Sequence, residues 1–310
     1  CFPQRVCGPL IALATAIVAL SASAVDLSVG SNINVSSAAS ENPVLPQFEV
    51  TVDVDPRNTD RLFVFANHKD SGTRQLFAAH SANRGASWGT SNGNFVFGIS
   101  GQPEPRRDPS AAWDGFGNLF IAYYVNTGPG DSQTSIAIAR STDNGATFTH
   151  LQTFEAPAEI PGFDHPTIST GPGEPDPVTG FRNDALWVTY HVITGFEVDP
   201  TSFQVTFIYG LPRVHSAELR GRGPSDVGPF DAGQTLPLEG ALLDVSVGPS
   251  GETLVAFTRA VGSGALNRPI AICHDPNGRT GGLGFSCSTT TFDTGASTFP
   301  DISIRYDRSA

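Results

Sequence analysis

Short runs of β-branched and aromatic residues recur along the chain and alternate with clusters of turn residues. Four of these runs align with one another on Leu62, Leu119, Leu186 and Leu254, which follow one another at similar spacings. Each run has the composition and length of a β-strand, and no segment between them has the period of an amphipathic helix. The aligned runs are 61–67, 118–124, 185–191 and 253–259. The chain therefore contains an internal repeat made of strands.

Further strand-like runs lie on both sides of each aligned run. Those upstream are 48–53, 110–113, 167–170 and 244–247, and those downstream are 74–80, 134–140, 203–209 and 268–273. Such a unit of three or four hairpin-connected strands cannot bury both of its faces alone, so neighbouring units must stack. We predict an all-β fold, a β-propeller of four-stranded antiparallel blades. We expect residues 299–307 to form the inner strand of a fifth unit, so that the chain is an incomplete ring of six or seven blades. Two β-sandwich domains are the alternative.

Residues 1–24 have the features of a secretory signal peptide. Arg5 precedes an apolar run over 10–20, and Ala22-Ser-Ala24 supplies a small-residue cleavage site. A buried helix or a short membrane anchor is the alternative, and no later run is long enough to span a bilayer. We therefore expect a secreted, periplasmic or cell-surface protein, with a lead-in strand and extended arm at 25–45 and the propeller at 46–310.

The composition excludes several classes of protein. The chain contains 33 Gly and 24 Pro, which argues against a helical bundle. Hydrophobic residues make up 39% of the sequence and include 21 Phe, enough for a large core. The formal net charge of −12 argues against nucleic acid as a partner, since phosphate would be repelled. We expect a globular protein that does not bind nucleic acid and whose mature form has no membrane-spanning segment.

The four cysteines fall into two pairs. Cys1 and Cys7 precede the predicted cleavage site and are expected to leave with the signal peptide. Cys273 and Cys287 flank a glycine-rich turn, and in an exported chain they are expected to form a hairpin disulfide. Two free thiols are the alternative.

A motif follows the third strand in two of the units. Both copies read Ser-x-Asp/Asn-x-Gly-x-Ser/Thr-aromatic, with the defining residues Ser81, Asn83, Gly85 and Trp88 in the first copy and Ser141, Asp143, Gly145 and Phe148 in the second. In such a turn the Asx side chain accepts hydrogen bonds from nearby backbone, glycine takes a positive φ, and the aromatic ring packs into the blade. The third unit lacks a copy, and 274–278 is a degenerate one.

This motif resembles the Asp-box, or bacterial neuraminidase repeat, of sialidase-like β-propellers. In that family the Asp-box lies between the third and fourth strands of a blade, on the face opposite the substrate site. The resemblance implies a propeller fold and leaves the function open. It covers the chain from about residue 46 at the level of blades, and two turns at the level of the motif.

Charged residues recur where the innermost strand of each blade would begin, at one mouth of the central channel. Beside Glu49, these candidate ligand-binding residues are Arg106, Arg107, Asp108, Asp164, His165, Asp244 and Asp301. Carboxylates with arginine and histidine can bind a sugar or a cation and exchange protons with it. The alternative is that the Asp-Pro and His-Pro pairs only shape the entry turns.

The resemblance also implies what a sialidase would need, which is three arginines from different blades, a tyrosine nucleophile paired with glutamate, and an acid/base aspartate. Arg106 and Arg107 are adjacent on one blade, and the Arg-Ile-Pro-like motif of the family does not occur in the sequence. The catalytic candidates are Asp108, Asp164 and Tyr190, and the pair 123–124 offers two further tyrosines.

Other motifs add less to the picture. No zinc, phosphate-loop or serine-hydrolase motif is found, so no metal site or cofactor is predicted. Oxygen-rich turns around Asp53, Asp55 and Asp176 could supply Ca²⁺ ligands, with ordinary solvated loops as the alternative. The insert at 195–233 is a candidate lid or partner surface. The sequence predicts recognition of a glycan or cell-surface ligand at the channel mouth, with a sialidase-type exo-glycosidase acting on terminal acidic sugars and a structural or protein-interaction propeller as alternatives.

Overall fold

In the computed structural model, the repeated units form four antiparallel blades of consecutive strands. The structure describes residues 32–38, 46–70, 73–175, 178, 180, 182–259, 269–280, 284–291 and 303–305. The predicted signal peptide, the start of the predicted fifth blade at 299–302, and most of the lead-in segment lie outside these residues. Within the lead-in, Val35–Ala38 forms a one-turn helix (α1) where a strand was expected.

Each blade runs from an inner to an outer strand. The strands of blade 1 are β1 (Gln47–Val54), β2 (Leu62–Asp70), β3 (Thr73–Ser81) and β4 (Gly89–Thr90). Those of blade 2 are β5 (Pro105–Trp113), β6 (Leu119–Thr127), β7 (Gln133–Ser141) and β8 (Thr149–Phe154). Those of blade 3 are β9 (Gly162–Pro175), β10 (Arg182–Val198), β12 (Arg213–Leu219) and β13 (Gln234–Thr235), with β11 (Val205–Tyr209) added to β10. Those of blade 4 are β14 (Gly240–Val247), β15 (Thr253–Arg259), β16 (Pro269–Asp275) and β17 (Ser286–Thr291).

The repeat read from the sequence matches the second strands of the blades. Leu62, Leu119, Leu186 and Leu254 lie at equivalent positions in β2, β6, β10 and β15. The predicted third strand of unit 3 is wrong, because 203–209 forms β11, which pairs with an extension of β10. The third strand of blade 3 is β12, which pairs with the body of β10.

Three apolar layers lie between successive blades. Phe63, Phe65, Phe97 and Tyr123 fill the layer between blades 1 and 2. The second layer joins blades 2 and 3, and the third joins blades 3 and 4 through residues such as Trp187 and Phe257. Burying both faces of the second strands in this way explains why those strands are nearly continuous in apolar residues.

The inner strands enclose a central channel. Residues of β1, β5, β9 and β14, together with Arg305, line a cavity of about 410 Å³. Blades 2 and 3 also approach each other closely, since Thr134 pairs with Gly162 in a parallel bridge. A Cβ atom at Gly162 would lie 2.1 Å from Thr134 Oγ1, so glycine is required at that contact. The arrangement of the blades is that of a β-propeller, as the sequence predicted.

The cysteine prediction is confirmed. Cys273 on β16 lies directly opposite Cys287 on β17, and the two form a disulfide. Among the described residues, no helix is long and apolar enough to cross a membrane.

Candidate functional site

The four inner strands share a β-bulge near the start of the strand. The register with the second strand shifts at this point, and one non-glycine residue takes a positive φ. These residues are Glu49 (50°), Asp108 (56°), His165 (51°) and Leu242 (55°). The left-handed conformation costs an L-residue about 1 kcal/mol, and bulges re-aim side chains at strand ends. The same strained bulge therefore occurs in all four blades, at the end of the channel where the inner strands begin.

Three carboxyl groups from three blades meet at this mouth. The side chain of Asp108 is within hydrogen-bonding reach of both Asp164 and Glu49. Asp108 is buried, Asp164 is half-buried and Glu49 is exposed. Burial raises the pKa of Asp108 well above its ordinary value, and the neighbouring charges of Asp164 and Glu49 raise it further. Asp108 therefore holds a proton to a higher pH than an ordinary aspartic acid.

Asn67 joins the carboxyl groups of blades 1 and 2. Its Nδ2 donates to Glu49 Oε2, and its Oδ1 accepts from the backbone N–H of Asp108 at 2.9 Å. Because Asn67 is itself buried, its bond to the N–H of Asp108 is shielded from water, whereas its bond to the exposed Glu49 is only partly shielded. They hold Glu49 in position next to the buried Asp108.

His191 has the corresponding position on β10 and joins blades 3 and 4. Its Nε2 accepts from the backbone N–H of Leu243 at 3.2 Å, and its ring stacks on that of His165 with centroids 5.5 Å apart. Burial lowers the pKa of His191 well below its ordinary value, and His165 lowers it further. The neutral ring then carries its proton on Nδ1, which has no hydrogen-bond partner among the described residues.

Two tyrosines flank the carboxyl groups. Arg107 lies over the ring of Tyr124, with its guanidinium carbon 4.9 Å from the ring centroid. Burial raises the pKa of Tyr124, and Arg107 opposes this shift. Burial raises the pKa of Tyr209 to about 12, to which the charges of Asp164 and Asp108 contribute. Arg106 is bound elsewhere, with Nη2 3.2 Å from Glu104 Oε2.

The remaining candidates do not join this group. Asp244 follows the bulge of blade 4, where it lies 2.7 Å from Arg305 Nη1 and accepts from the N–H of Ile304. The bulge position itself is occupied by Leu242 in blade 4 and by His165 in blade 3, so among the four described blades an acid occupies it in blades 1 and 2. Asp301 lies outside the described residues.

Tyr190 points away from the mouth into the layer between blades 2 and 3. Its hydroxyl lies 2.9 Å from His215 Nε2, and His215 Nδ1 lies 3.7 Å from Asp231 Oδ1. Burial raises the pKa of Tyr190 and lowers that of His215. His215 and Asp231 line a separate cavity of about 500 Å³ at the outer margin of the blades. Tyr190 is therefore not positioned to act together with Asp164.

The two motif turns, Ser81–Trp88 and Ser141–Phe148, lie at the opposite end of the blades. In the second turn Ser141 Oγ accepts from the N–H of Gly145 at 2.9 Å, and Asp143 accepts from the N–H and the hydroxyl of Thr147. The first turn repeats these bonds, except that the Asn83 amide donates to Ser87 Oγ. Phe148 packs against Phe63 of blade 1. These are the local bonds that the motif predicted.

The oxygen-rich turns are engaged in protein contacts. Asp53 accepts from the N–H groups of Val54 and Trp113, and the buried Asp55 binds Arg61 at 3.1 Å. Asp176 lies outside the described residues. Within the described ranges, no group of three or more His, Cys, Asp or Glu side chains is placed to hold a metal ion.

Of the polar residues that end the four aligned runs, sequence reasoning singled out only Tyr124. Asn67, Tyr124, His191 and Arg259 occupy the same position in the second strands, five residues after the aligned leucines. The first three contact the bulge or its neighbours, as described above. The signal was present in the repeat, because a polar or hydroxylated residue closes each otherwise apolar strand at the mouth.

Solved structures similar to this chain include three carbohydrate-active enzymes, whereas no family model and no curated protein matches it. The α-L-arabinofuranosidase of Fusarium graminearum in complex with an iminosugar inhibitor is 10% identical, with a TM-score of 0.47, over 78% of this chain and 66% of that chain. The α-L-arabinanase of Penicillium chrysogenum complexed with arabinobiose is 14% identical, with a TM-score of 0.46, over 82% of this chain and 69% of that chain. A family 117 glycoside hydrolase of Zobellia galactanivorans is 10% identical, with a TM-score of 0.44, over 86% of this chain and 78% of that chain. The chain thus spans just under two thirds of the first of these structures.

Proposed function

We propose that this propeller binds carbohydrate at the channel mouth and hydrolyses a glycosidic bond there. The single observation that carries the proposal is the hydrogen-bonded group of Glu49, Asp108 and Asp164, which come from three successive blades. Glycoside hydrolysis requires one carboxyl group that donates a proton and a second that acts as base or nucleophile. Carboxyl groups whose environments push their pKa values apart meet that requirement.

The roles follow from burial. Asp108 lies between the other two carboxyl groups and is the most buried of them, so it is a positioning residue that keeps a proton within the group. Glu49 and Asp164 are more accessible, and they are the candidate catalytic residues that would touch the sugar. Asn67 fixes Glu49, and the hydroxyl groups of Tyr124 and Tyr209 can hydrogen-bond the sugar.

A neutral sugar suits this mouth better than an acidic one. Three carboxyl groups crowd this partly buried mouth, so a negatively charged ligand would be repelled there. Arg106 is paired with Glu104 and Arg107 lies over Tyr124, so neither extends freely toward a ligand carboxylate. A sialidase-type activity on terminal acidic sugars is therefore the less favoured alternative.

The test is turnover on neutral and acidic aryl glycosides by the full chain and by matched variants. Asp164→Asn and Glu49→Gln should each lower kcat by about 100-fold on the substrate that is cleaved. Asp143→Asn is the matched control, because it makes the same chemical change at the opposite end of the blades and should leave kcat within about twofold.

Two outcomes contradict the proposal. If no glycoside, neutral or acidic, is bound or cleaved, the mouth does not process carbohydrate. If a substrate is cleaved equally well by Asp164→Asn and by the wild type, the chemistry lies elsewhere. The cavity lined by His215 and Asp231 then becomes the next candidate site. Cleavage of the sialoside alone would favour the acidic-sugar alternative.

A further inference from the structure

A two-stranded arm projects from blade 3 beside the carboxyl groups. It consists of residues 194–210, that is, the far end of β10 and the strand β11. Phe196 pairs with Phe207 and Val198 pairs with Val205. No third strand pairs with the arm among the described residues. Phe207 and Ile208 point to opposite faces and are both exposed, so each face is accessible.

One face of the arm is apolar. Because side chains two apart on a strand share a face, the pairs Phe196–Phe207 and Val198–Val205 lie together. Phe196 is 59% exposed and Val205 is 55% exposed. The opposite face carries Glu197, Thr206 and Ile208. An apolar surface of this kind on a strongly acidic protein indicates a binding surface.

The apolar face continues to the carboxyl groups without a break. The rings of Phe207 and Tyr209 lie 6.5 Å apart, and the ring of Tyr209 meets that of His191 edge to face at 5.3 Å. Tyr209 is in turn close enough to Asp164 and Asp108 for their charges to affect its pKa. The row of aromatic rings therefore begins at the mouth and ends on the arm.

The tip of the arm is held by its own hydrogen bonds. Asp199 Oδ1 accepts from the N–H groups of Thr201 and Ser202, and the N–H of Phe203 donates to the carbonyl of Asp199. Phe203 has a φ of 55° and is 78% exposed. Since glycine would adopt this conformation without strain, the phenylalanine at this position adds exposed aromatic surface at a conformational cost.

We propose that the arm binds the successive residues of a neutral oligosaccharide whose end is bound at the carboxyl groups. Aromatic rings pack against the C–H faces of sugars, while their hydroxyl groups remain in water. Because the apolar face of the arm is continuous with the mouth, a ligand that occupies both is favoured over a separate partner. The carboxyl groups at the mouth favour a neutral chain over an acidic one. This inference rests on the proposed function and specifies its substrate class.

The experiment compares substrates of increasing length. The probes are gluco-, xylo-, galacto- and arabino-oligosaccharides of two to six residues, and kcat/KM and Kd are measured for each. The test variant is Phe196→Ala/Phe207→Ala. The matched control is Thr206→Ala/Ile208→Ala, which trims the opposite face of the same arm. Because both pairs are exposed, neither change should prevent folding, which is checked by circular dichroism and thermal unfolding.

We expect wild-type kcat/KM to increase with chain length. The Phe196→Ala/Phe207→Ala variant should lose roughly tenfold on the six-residue chain and less than about twofold on the disaccharide, whereas the control should follow the wild type.

An equal loss at all lengths, or no loss at any length, would overturn the inference while the proposed function stands on disaccharide turnover. Absence of binding and turnover with every probe would overturn the proposed function and this inference with it. A dimer that the test variant abolishes in sedimentation, or vesicle binding that it abolishes, would overturn the inference by identifying a second copy or a lipid surface as the occupant.

Discussion

Residues with positive φ occur at both ends of the blades, but their surroundings differ. At the motif turns the positive φ values fall on Arg84–Gly85 and Asn144–Gly145, and the turn side chains satisfy one another. At the mouth, the positive φ values fall on residues such as Glu49 and Asp108, and three carboxyl groups crowd together.

One end therefore stabilises the fold, whereas the other accepts strain and like-charge repulsion. Such costs persist where ligand binding requires them. The contrast teaches that the resemblance to known turns describes the end of the molecule that holds the blades together, while the proposed chemistry lies at the other end.

The largest expected effect is at the motif end. In Gly145→Ala, the new Cβ would lie 2.8 Å from Phe63 Cδ2 and the residue would keep a φ of 85°. We therefore expect a loss of about 3 kcal/mol in the free energy of unfolding. Gly93→Ala is the control, because it has a φ of 69° and open space around the Cβ. It should lose about 1 kcal/mol. Urea unfolding measures both, and equal losses would mean that the turn does not press on the blade core.

Asp114 lies in the turn between β5 and β6, at the same end of the blades as the motif turns. The pH dependence of its contribution to stability is the second test of the comparison. Burial raises its pKa to about 6, against the bonds from Asn118 that lower it. Between the unfolded value of about 4 and this folded value, the native state binds the proton more tightly. The free energy of unfolding should therefore decrease by about 2 kcal/mol as pH rises from 4 to 6 through this group alone.

Asp114→Asn isolates that contribution. The buried histidines, whose lowered pKa values make stability fall as pH drops through about 6.5, are common to both proteins. The difference between the wild type and Asp114→Asn, measured by urea unfolding at several pH values, should change with pH between 4 and 6 and be flat above 7. A difference that is independent of pH would show that Asp114 ionises normally.

Asp108→Asn sharpens the contrast at the mouth. The amide removes the cost of keeping a buried carboxyl group protonated at pH 7.5 and can donate to Glu49 and Asp164, so the free energy of unfolding at pH 7.5 should increase by about 1 kcal/mol. The same variant should lose turnover, since the shared proton is gone. A destabilised variant would mean that the carboxyl group serves the fold rather than the ligand.

The smallest effect concerns the difference between the two motif turns. Asn83→Asp gives the first turn the carboxylate that Asp143 has in the second, and Ser87 can then donate to it as Thr147 does to Asp143. We expect a gain of about 0.5 kcal/mol at pH 7.5, measured by thermal unfolding. A loss would indicate that the neighbouring Asp60, which already binds Arg84, repels the new charge.

The repeat and its local turns were readable from the sequence because they depend on short-range patterns. Leu119 and Leu186 marked the second strands, and Cys273 and Cys287 marked their hairpin. The third strand of blade 3 could not be assigned from propensity, because 203–209 is a good strand in either position and only tertiary pairing selects β11.

The site was predictable only in part for a similar reason. Asp108 and Asp164 stood out as charged residues before proline or histidine-proline. Tyr190 and His191 are adjacent, and which of them faces the mouth depends on strand register, which shifts at the bulge. Tyr209 reaches the mouth only because the arm folds back along β10, and no local signal predicts that.

The pairing of consecutive strands within each blade bears on how the protein is made. Each of the four blades closes its hydrogen bonds within about 45 to 75 residues of chain, and the layer between two blades needs only the next blade in sequence. Synthesis from the N-terminus can therefore complete the blades one after another on the ribosome, with contacts of short sequence separation that form quickly. The mouth requires groups from blades 1, 2 and 3, so its carboxyl groups come together only after the third blade has docked, and binding competence is acquired late in folding.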